Sequence, residues 1–186
     1  MKSRYEIPAL QKGATLIEVL VAIFLLTVGL LAMAALTVSA TNYNKMAQIR
    51  GTGTMLVNDY AERARANLLG FDRGGYAKDA KFNSTLTAAS ACNVNNTGSV
   101  AADCVALYDQ REWLQEVANR LPQGSAYVTV EAPAAAGDRG LRAMNVWISW
   151  REQDSSAALL NAGPATCPSA GDAIAGTRCM FFRVAI

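Results

Sequence analysis

One carboxylate stands apart in the first fifty residues. Glu18 precedes 22 uncharged residues, Val19 to Ala40 (VLVAIFLLTVGLLAMAALTVSA). A carboxylate in hydrocarbon costs roughly 2.5–3.5 kcal/mol on insertion scales, so it must either find a cation or escape to the headgroups. Lys12 is close enough in sequence for the boundary reading, and the two readings stand even on these residues alone. The next chemically able residues are four cysteines. Cys92 and Cys104 are twelve apart, as are Cys167 and Cys179. Four cysteines allow three connectivities. The local pairs Cys92–Cys104 and Cys167–Cys179 are favoured because short loops close most easily. Each would add about 3 kcal/mol by restraining the unfolded chain. The rival is a metal site, which ranks below disulfides because C-x-x-C spacing is missing.

Other chemistry is largely excluded. The 186 residues contain no histidine. That removes Ser-His-Asp and Cys-His catalysis and every His-ligated metal site. Neither a G-x-x-x-x-G-K-[ST] phosphate loop nor a Ser-x-x-Lys motif occurs. Trp113, Trp147 and Trp150 would suit a ligand platform, but an apolar helix face and a strand pattern assign them to packing. Asp138 and Asp172 lie beside glycines without a D-x-[DN]-x-[DN]-G loop, so turn roles are expected. The expectation is no enzyme, no cofactor and no metal. The net charge is +2 with no basic block, which gives no footprint for nucleic acid.

The elements that must position Glu18 and the cysteines follow from patterning. About 20 apolar residues span a bilayer as a helix. Lys2, Arg4 and Lys12 against Glu6 place the whole net charge of +2 ahead of the apolar run. Positive flanks stay in the cytoplasm, so the chain after the run is exported. Apolar or small residues then recur from Met46 through Ile49, Gly53, Leu56, Val57, Tyr60, Ala61, Ala64 and Leu68 near a 3.6 period. The helix is therefore predicted from Leu16 to Leu69, about 80 Å long. Gly51 and Gly53 are a soft point for a bend, Gly70 is a C-terminal cap, and Asp59–Arg63 is a solvent-side pair. Residues 71–103 read as a long loop. Asp103 to Leu121 reads as a second helix with Trp113, Leu114, Val117, Ala118 and Leu121 on one face and Glu116–Arg120 as an i,i+4 pair. Strands are predicted over Ala126–Glu131, Arg142–Arg151 and Arg178–Ile186, the first two as a hairpin. The two Asp-Arg-Gly triplets, at 72–74 and 138–140, read as turn chemistry. The fold class is α+β: a long N-terminal helix with a small head built on an antiparallel sheet.

Three readings of the N-terminus compete: a plain membrane anchor, a secretory signal cut after Ala32-Met33-Ala34, and a third carried by motif. Gly13-Ala14-Thr15-Leu16-Ile17-Glu18, behind a short basic leader and ahead of an unbroken apolar helix, resembles the class III signal of type IV prepilins and pseudopilins. The resemblance implies cleavage between Gly13 and Ala14 by prepilin peptidase and N-methylation of Ala14. It also implies pairing of Glu18, the fifth mature residue, with the N-terminal amine of a neighbouring subunit. Ala14 stands where the family usually has an aromatic residue or Met. The implied organisation is a leader over 1–13, a transmembrane and filament-core helix over 14–40, its amphipathic continuation over 41–70, and a periplasmic head over 71–186. A cysteine-bounded C-terminal loop also resembles the pilin head.

The head carries a finer resemblance. Ala102-Asp103, Asp109, Trp113, Leu121-Pro122-x-Gly124 and Val146-x-Ile148-x-Trp150-Arg151 look like the PilV type of type IV pilus minor pilin. That implies a low-abundance subunit of a Gram-negative pilus, anchored by one pass in the inner membrane before it enters the extracellular fibre. It implies other minor pilins and the major pilin as partners, with a tip adhesin a further candidate. It implies a part in priming assembly, near the tip, in support of twitching motility and adhesion. The alternatives are a type II secretion pseudopilin and, in another class, a membrane-anchored periplasmic binding domain.

Overall fold

Helix α1 runs over Leu16–Ala66, 51 residues without a proline. The computed structural model describes residues 13, 15–78, 92, 97–132, 140–151, 167–168 and 177–186. The chain divides into two compact units, Met1–Met46 and Ala47–Ile186. In the first, the described part is the apolar half of α1. In the second, the rest of α1 joins α2 (Leu68–Asp72), α3 (Gly98–Arg120) and strands β1 (Ser125–Glu131), β2 (Ala143–Arg151) and β3 (Thr177–Ala185). The strands form one antiparallel sheet in the order β1-β2-β3, with Val128 opposite Val146 and Val146 opposite Phe182. The α+β class and the predicted hairpin pairing are both present.

The even residues of the strands face inward. Ala126 and Val128 of β1 and Met144, Val146 and Ile148 of β2 are all 0% exposed. Against them pack Leu56, Val57, Tyr60, Ala61 and Ala64 of α1 and Trp113 and Val117 of α3. Trp113 is the centrepiece. Its ring stacks on Tyr60 with centroids 4.0 Å apart, and its indole N–H donates to the Leu56 carbonyl at 2.8 Å. Burial of this large ring is favourable only because its one polar atom is satisfied. Trp150 joins the core, whereas Trp147 lies on the opposite sheet face between Tyr127 and Phe181, centroids 5.6 and 4.8 Å away.

Several expectations are corrected. The long helix stops at Ala66, not Leu69. Asn67 leaves helical geometry (φ −128°, ψ 62°), and its side-chain oxygen accepts from Gly70 N–H at 3.2 Å to cap the separate α2. Gly70 is therefore inside α2 and not a C-terminal cap. A Cβ there would collide with the Asn67 side chain and the Ala102 carbonyl, so glycine is needed for close approach to α3. Gly53 is likewise a site of close approach. The helix continues through it, and a Cβ would meet Met180 Cε at 2.8 Å. The predicted loop over 71–103 is shortened at both ends by α2 and by α3, which begins at Gly98. Its 79–91 and 93–96 portions lie outside the described residues. The inner face of α3 starts earlier than the large apolar residues suggested, because Ala102 and Ala106 carry it. Ala118 is exposed.

Trp113→Ala should destabilise the head by about 3–5 kcal/mol, the usual cost of deleting a core aromatic ring. Denaturant unfolding of the full chain in detergent, followed by intrinsic fluorescence, measures it.

Candidate functional site

The Thr15 carbonyl accepts from Glu18 N–H at 3.0 Å and from Val19 N–H at 3.3 Å, which starts α1. Gly13 lies just outside the helix and is exposed; Ala14 lies outside the described residues. Glu18 sits in the first turn, where a carboxylate complements the unpaired N–H groups of the helix start. From Leu16 to Asn44 it is the only charged side chain. The threonines of this stretch satisfy themselves. Thr27, Thr37 and Thr41 each donate to a carbonyl three residues back at 2.8 Å. Glu18 has no such recourse, and among the described residues it has no ion-pair partner. The large apolar side chains along this stretch are mostly exposed, with Leu16 at 79% and Leu31 at 71%. This helix is long and apolar enough to cross a membrane.

The cysteines come together as the two local pairs. Cys92 and Cys104 stand with Cα atoms 5.5 Å apart, and Cys167 and Cys179 with theirs 5.1 Å apart, both within disulfide geometry. The first pair fastens residue 92 to the second turn of α3. The second fastens residue 167 to β3. Asp138 and Asp172 lie outside the described residues.

The head's charged groups are a set of clamps. Arg63 does more than pair with Asp59 at 2.9 Å; its guanidinium also reaches Glu112 at 2.7 Å and Asp109 at 3.6 Å on α3. Tyr76 donates to Asp109 at 2.6 Å, and Tyr60 donates to the Tyr76 carbonyl at 2.9 Å. The first Asp-Arg-Gly triplet is more than a turn. Asp72 accepts two bonds from Arg142, at 2.7 and 2.8 Å, while Arg73 makes two to Asp103, at 2.8 and 2.9 Å. Adjacent residues thus tie α2 to the sheet and to α3. No local pattern marks these pairs, since their partners are 70 and 30 residues away. Glu116–Arg120 forms as expected, at 3.1 Å.

These contacts set the titration of the head. The guanidinium of Arg142 holds Asp72 below the usual carboxylate range, and that of Arg73 does the same for Asp103. Asn145 and then Arg183 lower Glu131. Burial pushes the phenol of Tyr60 up, and burial with the bond to Asp109 pushes up Tyr76. A carboxylate lowered on folding contributes stability above its unfolded pKa and loses it as pH falls through the folded one. A phenol raised on folding contributes fully below its unfolded pKa of about 10 and loses it above. Head stability should therefore be flat through neutral pH, fall below about pH 4 and fall again above about pH 10. Thermal melts across pH check this, and Asp72→Asn with Asp103→Asn should shrink the acid limb.

Residues 9–34 match the family model described as the prokaryotic N-terminal methylation motif. That span contains Gly13, Ala14 and Glu18 together with most of the apolar run. With the long apolar helix and the three-stranded head, it supports a type IV pilin-like protein, of a pilus or a pseudopilus. Such a motif implies processing by prepilin peptidase and assembly with other pilins, and it fits membrane anchoring. No curated protein and no solved structure gives a significant match to the chain.

Proposed function

We propose that the chain is a minor pilin of a type IV pilus, of the PilV type. In this reading prepilin peptidase cuts after Gly13 on the cytoplasmic side and Ala14 becomes the methylated N-terminus. The apolar half of α1 holds the subunit in the inner membrane with its head in the periplasm. The subunit then joins other minor pilins and the major pilin to prime the fibre, enters it near the tip, and so supports motility and adhesion. The observation that carries the reading is Glu18 as the sole charge in a bare apolar helix, inside the matched methylation motif.

The physical logic is one of covering. A retained apolar helix leaves the bilayer only for an equally apolar place, and a bundle of like helices provides one. Within it the Glu18 carboxylate needs a cation. A neighbour's N-terminal amine offsets the desolvation of both groups.

The deciding experiment is the N-terminal residue and mass of the mature protein, with and without active prepilin peptidase. A chain that begins at N-methylated Ala14 only when the peptidase is active is the expected result. A start after Ala34, or an intact Met1, would refute the reading. Glu18→Ala should leave membrane insertion intact and sharply reduce recovery with partner pilins. Recovery in sheared pili points to a pilus; association with a secretion system's pseudopilus would reassign the filament.

A further inference from the structure

The sheet has two edges, and they are treated differently. On β1, Lys78 exchanges two backbone bonds with Val128, N–H to carbonyl at 2.8 Å and the reverse at 2.9 Å. Val128 thus turns its backbone outward, away from Val146. In antiparallel pairing the backbone groups of successive residues point to alternate sides. Val146 therefore bonds to its β3 partner Phe182, and odd residues of β2 turn toward β1. Two other bonds fix the same parity: Arg151 N–H donates to Pro122 O, and Ile186 N–H donates to Arg142 O, each at 2.9 Å. It follows that Phe181, Arg183 and Ala185 turn their N–H and C=O groups to the outer edge of β3. The Ala185 carbonyl is taken by the Arg65 guanidinium at 2.6 Å. Among the described residues nothing pairs with the backbone of Phe181 or Arg183.

Two more observations mark the Phe181–Arg183 stretch of this edge as open to pairing. Natural edges are usually blunted by outward charges, proline or bulges. Here β3 has no proline, and the Arg183 guanidinium is drawn back across the sheet to Glu131 at 2.6 and 3.0 Å. The apolar layer beneath is also incomplete on this side. Met180, Phe182 and Val184 are only half-buried against the core, although their β2 neighbours Ile148, Val146 and Met144 are fully buried.

We propose that the outer edge of β3 receives an extended strand from a neighbouring subunit, antiparallel or parallel, with alternating apolar and polar side chains. Its apolar side chains would extend the layer over Phe182 and Val184, and its backbone would bond to Phe181 and Arg183. The occupant is a strand of a larger partner and not a second copy. The stretch of edge left unpaired, Phe181 to Arg183, is only about 10 Å long at roughly 3.4 Å per residue, too short to hold a partner by itself, so the strand must belong to a chain held by further contacts. Assembly into a filament supplies those contacts, so the partner's identity rests on the pilin-like reading; the edge itself does not.

Amide hydrogen exchange on the full chain in detergent micelles tests the edge, with the synthetic peptide Lys-Val-Thr-Val-Glu-Val-Thr-Val-Lys as probe. Millimolar peptide mimics the local concentration inside an assembly. Protection of the Phe181 and Arg183 amides should rise about tenfold, with Val146 unchanged. Arg183→Ala, which keeps the N–H, should retain the response. Arg183→Pro, which removes an outward N–H at an edge position, should abolish it. Unchanged protection would overturn the proposal. So would protection already present in the isolated chain, protection that grows with protein concentration alone, or an undiminished response in Arg183→Pro. In cells, Arg183→Pro should be processed normally yet enter filaments at least tenfold less than Arg183→Ala. Equal entry overturns the strand proposal and leaves the pilin reading standing. Failure of processing at Gly13 overturns that reading and leaves the peptide experiment to decide the edge.

Discussion

The first half of α1 has nowhere to go in water. Its side chains are leucine, valine, isoleucine, phenylalanine and alanine on every face, and its threonines hide their hydroxyls in the backbone. Each buried leucine-sized side chain recovers about 1.5–3 kcal/mol, so the stretch demands hydrocarbon or a bundle of its own kind. One charge, Glu18, spoils that uniformity. A bilayer tolerates it only at the boundary, and a dry bundle tolerates it only with a cation alongside. In the proposed reading, membrane residence, assembly and the value of a neighbour's N-terminal amine beside Glu18 all answer that single mismatch.

The head answers a different requirement. The second half of α1 is amphipathic, and Leu56, Val57, Tyr60, Ala61 and Ala64 bury against the sheet and α3. The polar side of this packing is not left to water. Arg63, Asp109, Tyr76 and Asn67 form a continuous network, with Asn67 donating to the Ala102 carbonyl at 2.8 Å. Surface ion pairs are individually worth little. Here two double-bonded pairs pull adjacent residues, Asp72 and Arg73, in opposite directions, which fixes the short α2 between the sheet and α3. The second half of α1 is thereby locked into the head.

Much of this was legible beforehand, for identifiable reasons. The apolar run, the alternation in β2 and the amphipathic repeat of α1 are local patterns that burial converts directly into structure. The local cysteine pairs follow from loop closure. What escaped was decided by contacts far apart in sequence. Nothing around Asn67 shows that it would abandon α1 to cap α2, because its partners Tyr76 and Ala102 arrive only after folding. Gly53 and Gly70 are sites of close approach, to Met180 and to Ala102, and neither contact is visible in the local sequence. The inner face of α3 was read from its large residues and missed Ala102 and Ala106. The head residues that carry the finer resemblance, among them Asp103, Asp109, Trp113 and Trp150, occupy the clamps and the core. The pattern there records how the head is held together.

In the proposed filament, Glu18 is neutralised by an N-terminal amine of another subunit. Solid-state NMR on assembled filaments measures this directly, with carbon-13 at the Glu18 carboxyl of this chain and nitrogen-15 confined to the partner chains. Strong dephasing between the carboxyl and a partner's N-terminal amine, at about the 4 Å of an ion pair, is the expected result. A carboxyl that sees no partner nitrogen, in filaments that contain the chain at normal levels, would contradict the account.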